Sequence, residues 1–128
     1  MEIESLIKTI IQCAYNVRMH LATGFLEAVY QKALVIELKE KGIDAETEAP
    51  INVYYKNIVV GEFRADIIVE KKIIIELKAV QNLIPIHETQ LVNYLTATNT
   101  DHGLLINFGG ERIEIKRKFR EYKHKNNA

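Results

Sequence analysis

The stretch Asp66–Leu77, DIIVEKKIIIEL, constrains the fold more than any other part of the chain. Ile67, Ile68 and Val69 precede a short charged break, and Ile73, Ile74, Ile75 and Leu77 follow it. Two short runs rich in β-branched residues, separated by Glu70, Lys71 and Lys72, read as the strands of a hairpin. Neither run alternates apolar with polar. Strands of that kind are covered on both faces, which puts the hairpin inside a sheet with layers above and below it. Asp66, Glu76 and Lys78 are therefore out of place, as charged groups in a segment that otherwise reads as core.

The rest of the chain supplies the layers. Apolar residues at Ile3, Leu6, Ile10, Cys13, Ala14, Val17 and Leu21 follow the 3.6-residue period of an amphipathic helix. A second helical pattern runs through Leu26, Val29, Tyr30, Ala33, Leu34 and Leu38, with Gly42 expected as its left-handed cap. INVYYK from Ile51, IVVGEFRADIIV from Ile58 and KIIIELKAV from Lys72 read as strands, and Pro85 opens a third helix. A turn at 98–103 leads into the strand LLINF, then Gly109-Gly110, then the alternating strand RIEIKRK from Arg112. The order α-α-β-β-β-α-β-β points to one α/β domain with a mixed sheet flanked by helices.

At 128 residues the chain can bury one hydrophobic core. The N-terminus carries early acids and no basic segment, so no secretory signal is expected, and no apolar run nears the roughly 20 residues that span a bilayer. The single Cys13 is expected as a buried thiol in a cytoplasmic protein. Net charge is zero, but residues 112–128 hold seven basic side chains against Glu114 and Glu121. That tail reads as a phosphate-binding arm or as a solvated end that keeps the protein soluble.

Alternation along a strand puts Glu76 and Lys78 on one face with Ile74. If Glu70, Lys71 and Lys72 form a three-residue loop, Val69 pairs with Ile73, and Asp66 lies opposite Glu76. Directly opposed like charges are destabilising, so something must compensate them. A divalent ion such as Mg²⁺, held by carboxylates, would do so, with Lys78 beside it to orient a bound water. The alternative is an Asp66–Lys78 or Glu76–Arg64 ion pair near a sheet end. Acid-x-Lys alone discriminates nothing, since the chain contains five such triplets. Only Glu76-Leu77-Lys78 lies in a strand apolar on both faces with an aspartate on its neighbour.

Asp66 followed by Glu76-Leu77-Lys78 resembles the acid…(D/E)-x-K core of the PD-(D/E)XK nuclease superfamily. Gly24-x-x-Glu27-x-x-Tyr30 resembles the signature of the GxxExxY proteins, a nuclease-like group of bacteria and archaea, and HETQLVNYL and GLLINFG look like that group too. The resemblance spans roughly Val17 to Arg117. It departs from the pattern at Arg18, where many relatives carry histidine, and at Ala65, which stands in place of the leading proline.

The resemblance implies a restriction-endonuclease-like α/β/α sandwich with a central mixed sheet over residues 1–118, followed by a basic tail over 119–128. It implies Mg²⁺ or Mn²⁺ on Asp66, Glu76, the Leu77 carbonyl and Glu27, with Lys78 and Gln90 assisting catalysis. Tyr30, Tyr94 and Arg64 are candidate substrate contacts, although Tyr30 and Tyr94 also read as core aromatics. The implied activity is metal-dependent hydrolysis of nucleic-acid phosphodiesters, with DNA favoured over RNA, no membrane, and a homodimer as one source of substrate register. The competing expectation is a nuclease-like module that binds nucleic acid or a protein without cutting.

Overall fold

Five strands, β1 (Ala45–Tyr55), β2 (Ile58–Val69), β3 (Ile73–Lys78), β4 (His102–Asn107) and β5 (Glu114–Phe119), lie side by side in chain order in the computed structural model, which describes residues 1–121. The helices are α1 (Ile3–His20), α2 (Glu27–Glu40) and α3 (Pro85–Thr98). The Ile-rich hairpin of β2 and β3 takes the middle of the sheet. Ile73, Ile75 and Leu77 join Leu6, Ile10, Tyr30 and Leu34 in the core beneath α1 and α2. Ile74 packs on the other face with Leu91, Tyr94 and Leu95 of α3. The result is the expected α/β/α sandwich. Strands β3 and β4 are parallel, and every other neighbouring pair is antiparallel. Parallel neighbours need a crossover, and α3 provides it.

The turn between β2 and β3 is the three-residue form. Val69 pairs with Ile73, Glu70 and Lys71 adopt left-handed φ of 52° and 55°, and Lys72 donates its N–H to the Val69 carbonyl at 2.9 Å. Two elements differ in extent from expectation. Strand β1 begins at Ala45 rather than Ile51, because an edge strand has one open side that accepts exposed Glu46, Thr47 and Glu48. It also accepts Pro50, whose missing N–H is tolerated at an edge. Strand β5 begins at Glu114 rather than Arg112, since a turn after β4 uses the intervening residues. In the expected basic arm, Arg117, Lys118 and Arg120 pair with Glu4, Glu88 and Asp101 at 2.8, 3.0 and 2.7 Å. The remainder of the expected tail, 122–128, lies outside the described residues.

The end of β3 is held from β4. The buried Asn107 side chain accepts from Val80 and Gly109 N–H at 3.0 Å each, and donates to the Val80 carbonyl at 2.8 Å and to Glu114 at 2.9 Å. The Phe108 N–H closes onto the Lys78 carbonyl at 2.9 Å. Gly109 is fixed by close approach, since a Cβ there would lie 2.4 Å from backbone atoms of Ala79 and Val80. Gly109→Ala should therefore lower stability by about 3 kcal/mol, the upper range for overpacking, as read from urea melts. A loss under about 0.5 kcal/mol would mean that the loop simply yields.

Candidate active site

The backbone ladder between β2 and β3 stops at Ile67↔Ile75. One step further, where Asp66 faces Glu76, side chains take over from the backbone. Asp66 Oδ2 accepts the Leu77 N–H at 2.8 Å, and Glu76 Oε1 accepts the Asp66 N–H at 3.3 Å. Each acid is thus anchored to the other's strand, and the sequence-predicted opposition of the two is present.

Glu76 is only 7% exposed. Burial, followed by the negative charge of Asp66, pushes its carboxyl up to about 8, against the opposing pull of the Asp66 N–H and the Lys78 charge. Asp66 is also shifted upward by burial, which outweighs the Leu77 N–H that favours its ionised form. Glu76 is the more deeply buried of the two and lies in the field of Asp66, an arrangement that favours a proton on Glu76 and charge on Asp66.

Glu27 comes to the same place from α2. Gly24 turns the chain at φ +105°, and Tyr30 locks the turn by donating its hydroxyl to the Ala22 carbonyl and accepting the Phe25 N–H. Glu27 is then the first helical residue, where a carboxylate is favoured by the helix dipole. Its carboxyl is shifted upward mainly by desolvation, lowered by the Lys78 charge and raised by that of Asp66. Glu27, Asp66, Glu76 and half-buried Lys78 therefore form one electrostatic group.

Tyr30 itself is corrected from a candidate substrate contact to core. It is fully buried and stacked on Phe108 with ring centroids 4.8 Å apart, so no substrate can touch it. Gln90 donates to the Tyr94 hydroxyl at 2.9 Å, and Tyr94 is buried beneath it. Exposed Arg64 reaches the Glu48 carbonyl at 3.4 Å rather than Glu76. Among the described residues, the ion pairs within 4.0 Å include neither Asp66–Lys78 nor Glu76–Arg64. His87 caps α3, its Nδ1 accepting the Ile84 N–H at 3.2 Å.

Two site residues were not anticipated. Gln31 Nε2 donates both to the Asp66 main-chain carbonyl at 2.8 Å and to Glu48 at 3.0 Å, tying α2 to β2 and to β1. Glu48 holds a left-handed φ of 52°, and its charge pushes Asp66 further upward. With Glu27, Asp66 and Leu77 these two line a cleft of about 210 Å³. Gln31 was findable as the i+4 neighbour of Glu27 on one helix face. Glu48 lay in a segment that did not read as strand. Among the described residues, no three His, Cys, Asp or Glu side chains are gathered closely enough to hold a metal ion.

No curated protein matches the sequence. The crystal structure of SSO0001 resembles this one with a TM-score of 0.58 at 22% identity, covering 75% of this chain and 52% of that one. The chain thus spans about half the length of that protein, and the likeness is one of fold. Among the described residues, no helix is long and apolar enough to cross a membrane. The sheet, the paired acids and the lysine two residues beyond them agree with a family model that matches residues 4–118, and the chain belongs to the PD-(D/E)XK nuclease superfamily.

Proposed function

We propose that this protein is a divalent-metal-dependent nuclease of the GxxExxY type, hydrolysing phosphodiester bonds in nucleic acid, with DNA favoured over RNA. The observation that carries the reading is the Asp66–Glu76 pair, a buried and a half-buried carboxyl that face each other and each accept an N–H from the other's strand. A divalent ion is the other way to satisfy such a pair, and the donors around it fit Mg²⁺ or Mn²⁺. All are hard oxygens: the two carboxylates and the Leu77 carbonyl, which in an extended strand points the same way as the Leu77 N–H that Asp66 accepts. Glu27, which shares their electrostatic surroundings from the first turn of α2, would complete the set. When bound, the ion polarises the phosphate and acidifies a water. Lys78 places its ammonium beside the acids to orient that water, and Gln31 holds the Asp66 strand against α2. Gln90 and Tyr94 close the α3 side of the site.

Calorimetric titration of Mn²⁺ into the wild type and a folded Asp66→Asn variant tests this. Saturable binding by the wild type that disappears in the variant is the expected result. Absence of uptake at millimolar Mn²⁺, with and without an oligonucleotide present, would sink the metal site. Saturable metal binding without cleavage of any nucleic acid would leave a non-catalytic binding module.

A further inference from the structure

The β1–β2 hairpin projects past the centre of the sheet as an arm, since β3 joins β2 only from Ile67 onward. At its end Tyr55 pairs with Ile58 across Lys56 and Asn57, whose φ of 49° and 65° make the tight left-handed turn that matches strand twist. Residues 52–61 hold one basic side chain, Lys56, at that tip, and none nearer than Glu62 is acidic. Tyr54, Tyr55, Ile58 and Phe63 are 60%, 64%, 67% and 43% exposed, and Ile86 of α3 is 61% exposed. Between the arm and α3 runs a groove of about 670 Å³, with Tyr54, Phe63 and Ile86 in its walls. Among the described residues, its lining holds one charged side chain, Glu121.

We infer that this surface is the interface between two copies of the chain, each laying its arm tip into the other's groove about a twofold axis. Apolar side chains exposed together on a small domain mark a surface that is covered in use. At the exposures given, the five residues present roughly 600 Å² per copy, near the about 800 Å² that each side of a standard interface buries. Charge selects the occupant. A polyanion finds no cation in the groove and meets Glu121, whereas a second copy brings Lys56 on a tip that is otherwise uncharged. Alternation along β1 puts Tyr55 on the groove side with Val53, and its cross-strand partner Ile58 goes with it. The tip therefore offers an aromatic and a β-branched side chain to a groove whose Phe63 already lies on Tyr94, ring centroids 5.4 Å apart. One chain carries both tip and groove, so Lys56 of each copy meets Glu121 of the partner subunit and the dimer closes on itself. The interface uses neither Asp66 nor Glu76, and it stands or falls apart from the nuclease reading.

Sedimentation equilibrium decides the matter, on the wild type, Lys56→Glu, Glu121→Lys and an equimolar mixture of the two variants. The wild type should be mostly dimeric at about 100 µM. In either variant alone both cross-copy pairs become like charges, and the dissociation constant should rise at least about tenfold. In the mixture both pairs are opposite charges again, so a heterodimer of near wild-type affinity should form. That recovery also shows each variant to be folded, as expected for substitutions at an exposed turn and at an exposed position beyond β5. Ile58→Asp, at another exposed position, should leave only monomer. A wild type that is mostly monomeric at about 100 µM overturns the inference and leaves the surface to a partner of other chemistry. A dimer indifferent to both charge reversals overturns it too, by placing the interface elsewhere. Loss of association in both variants without recovery in the mixture refutes the reciprocal pairing.

Discussion

Glu76→Gln is expected to make the metal-free protein more stable at pH 8 by about 4 kcal/mol, roughly 15 °C in melting temperature, while removing its affinity for Mn²⁺. Glu76 titrates near 8 in the fold against an ordinary value of 4.5. Below the lower value, folded and unfolded chains both carry the proton and nothing is lost. Between the two values the unfolded chain releases its proton and the folded one keeps it, so each pH unit costs about 1.4 kcal/mol of stability. Wild-type stability should therefore fall as pH rises from about 4.5 to about 8 and level off beyond. Glutamine reproduces the protonated form at every pH, since its amide can donate to Asp66 and its oxygen can accept the Asp66 N–H. Thermal melts in EDTA at pH 5 and pH 8 should show a fall for the wild type and a flatter profile for the variant. Glu4 and Glu88, whose carboxyls are lowered by Arg117 and Lys118, contribute in the opposite sense but equally to both proteins. Mn²⁺ should restore the wild type at pH 8 and leave the variant unmoved. A variant less stable than the wild type at pH 8 would refute this account of the pair.

Lys78→Ala should lower the single-turnover cleavage rate by about 10³-fold at saturating Mn²⁺, within the span for general acid–base groups, without weakening Mn²⁺ binding. The Lys78 main chain is fixed by the bond from Phe108, so the ammonium is presented from a rigid strand end. Its charge favours ionisation of Glu27, Asp66 and Glu76 alike. Truncation removes that support but also a cation that repels the metal, and the two effects oppose each other in affinity. The rate has no such compensation. Lys78→Arg should fail to restore it, because a guanidinium keeps the charge but not the compact geometry of an ammonium. A rate within tenfold of wild type for Lys78→Ala would assign the water to another group.

The parts of the fold and site that were legible in the sequence are those where local chemistry and tertiary demand coincide. The Ile runs and the charged break between them specified the hairpin, but two or three residues of that break could form its loop, and the Val69–Ile73 pairing selects the three-residue form that sets Asp66 opposite Glu76. Gly42 was readable as a cap because its φ of +73° suits no other residue as well. Tyr30 was ambiguous, since a tyrosine one turn beyond a site acid can face substrate or core, and only the packing of Phe108 decides it. The first half of β1 was hidden because edge strands tolerate polar residues and proline that argue against a strand elsewhere. Glu48 was hidden with it, and the two bonds made by Gln31 depend on that strand being there.

The same edge carries a consequence for the protein at high concentration. The segment Ile73–Leu77 has the β-branched, weakly charged character of sequences that stack into fibrils. In the fold it lies at the centre of the sheet, with β1 and β2 on one side of it and β4 and β5 on the other. The two outer rims are poor templates for another chain. β1 is interrupted by Pro50 and lined with exposed glutamates, and β5 carries Lys116, Arg117 and Lys118. With the rims blunted in this way, the segment becomes available for stacking when the molecule opens, so resistance to aggregation depends on the stability of the fold as well as on the chemistry of its rims.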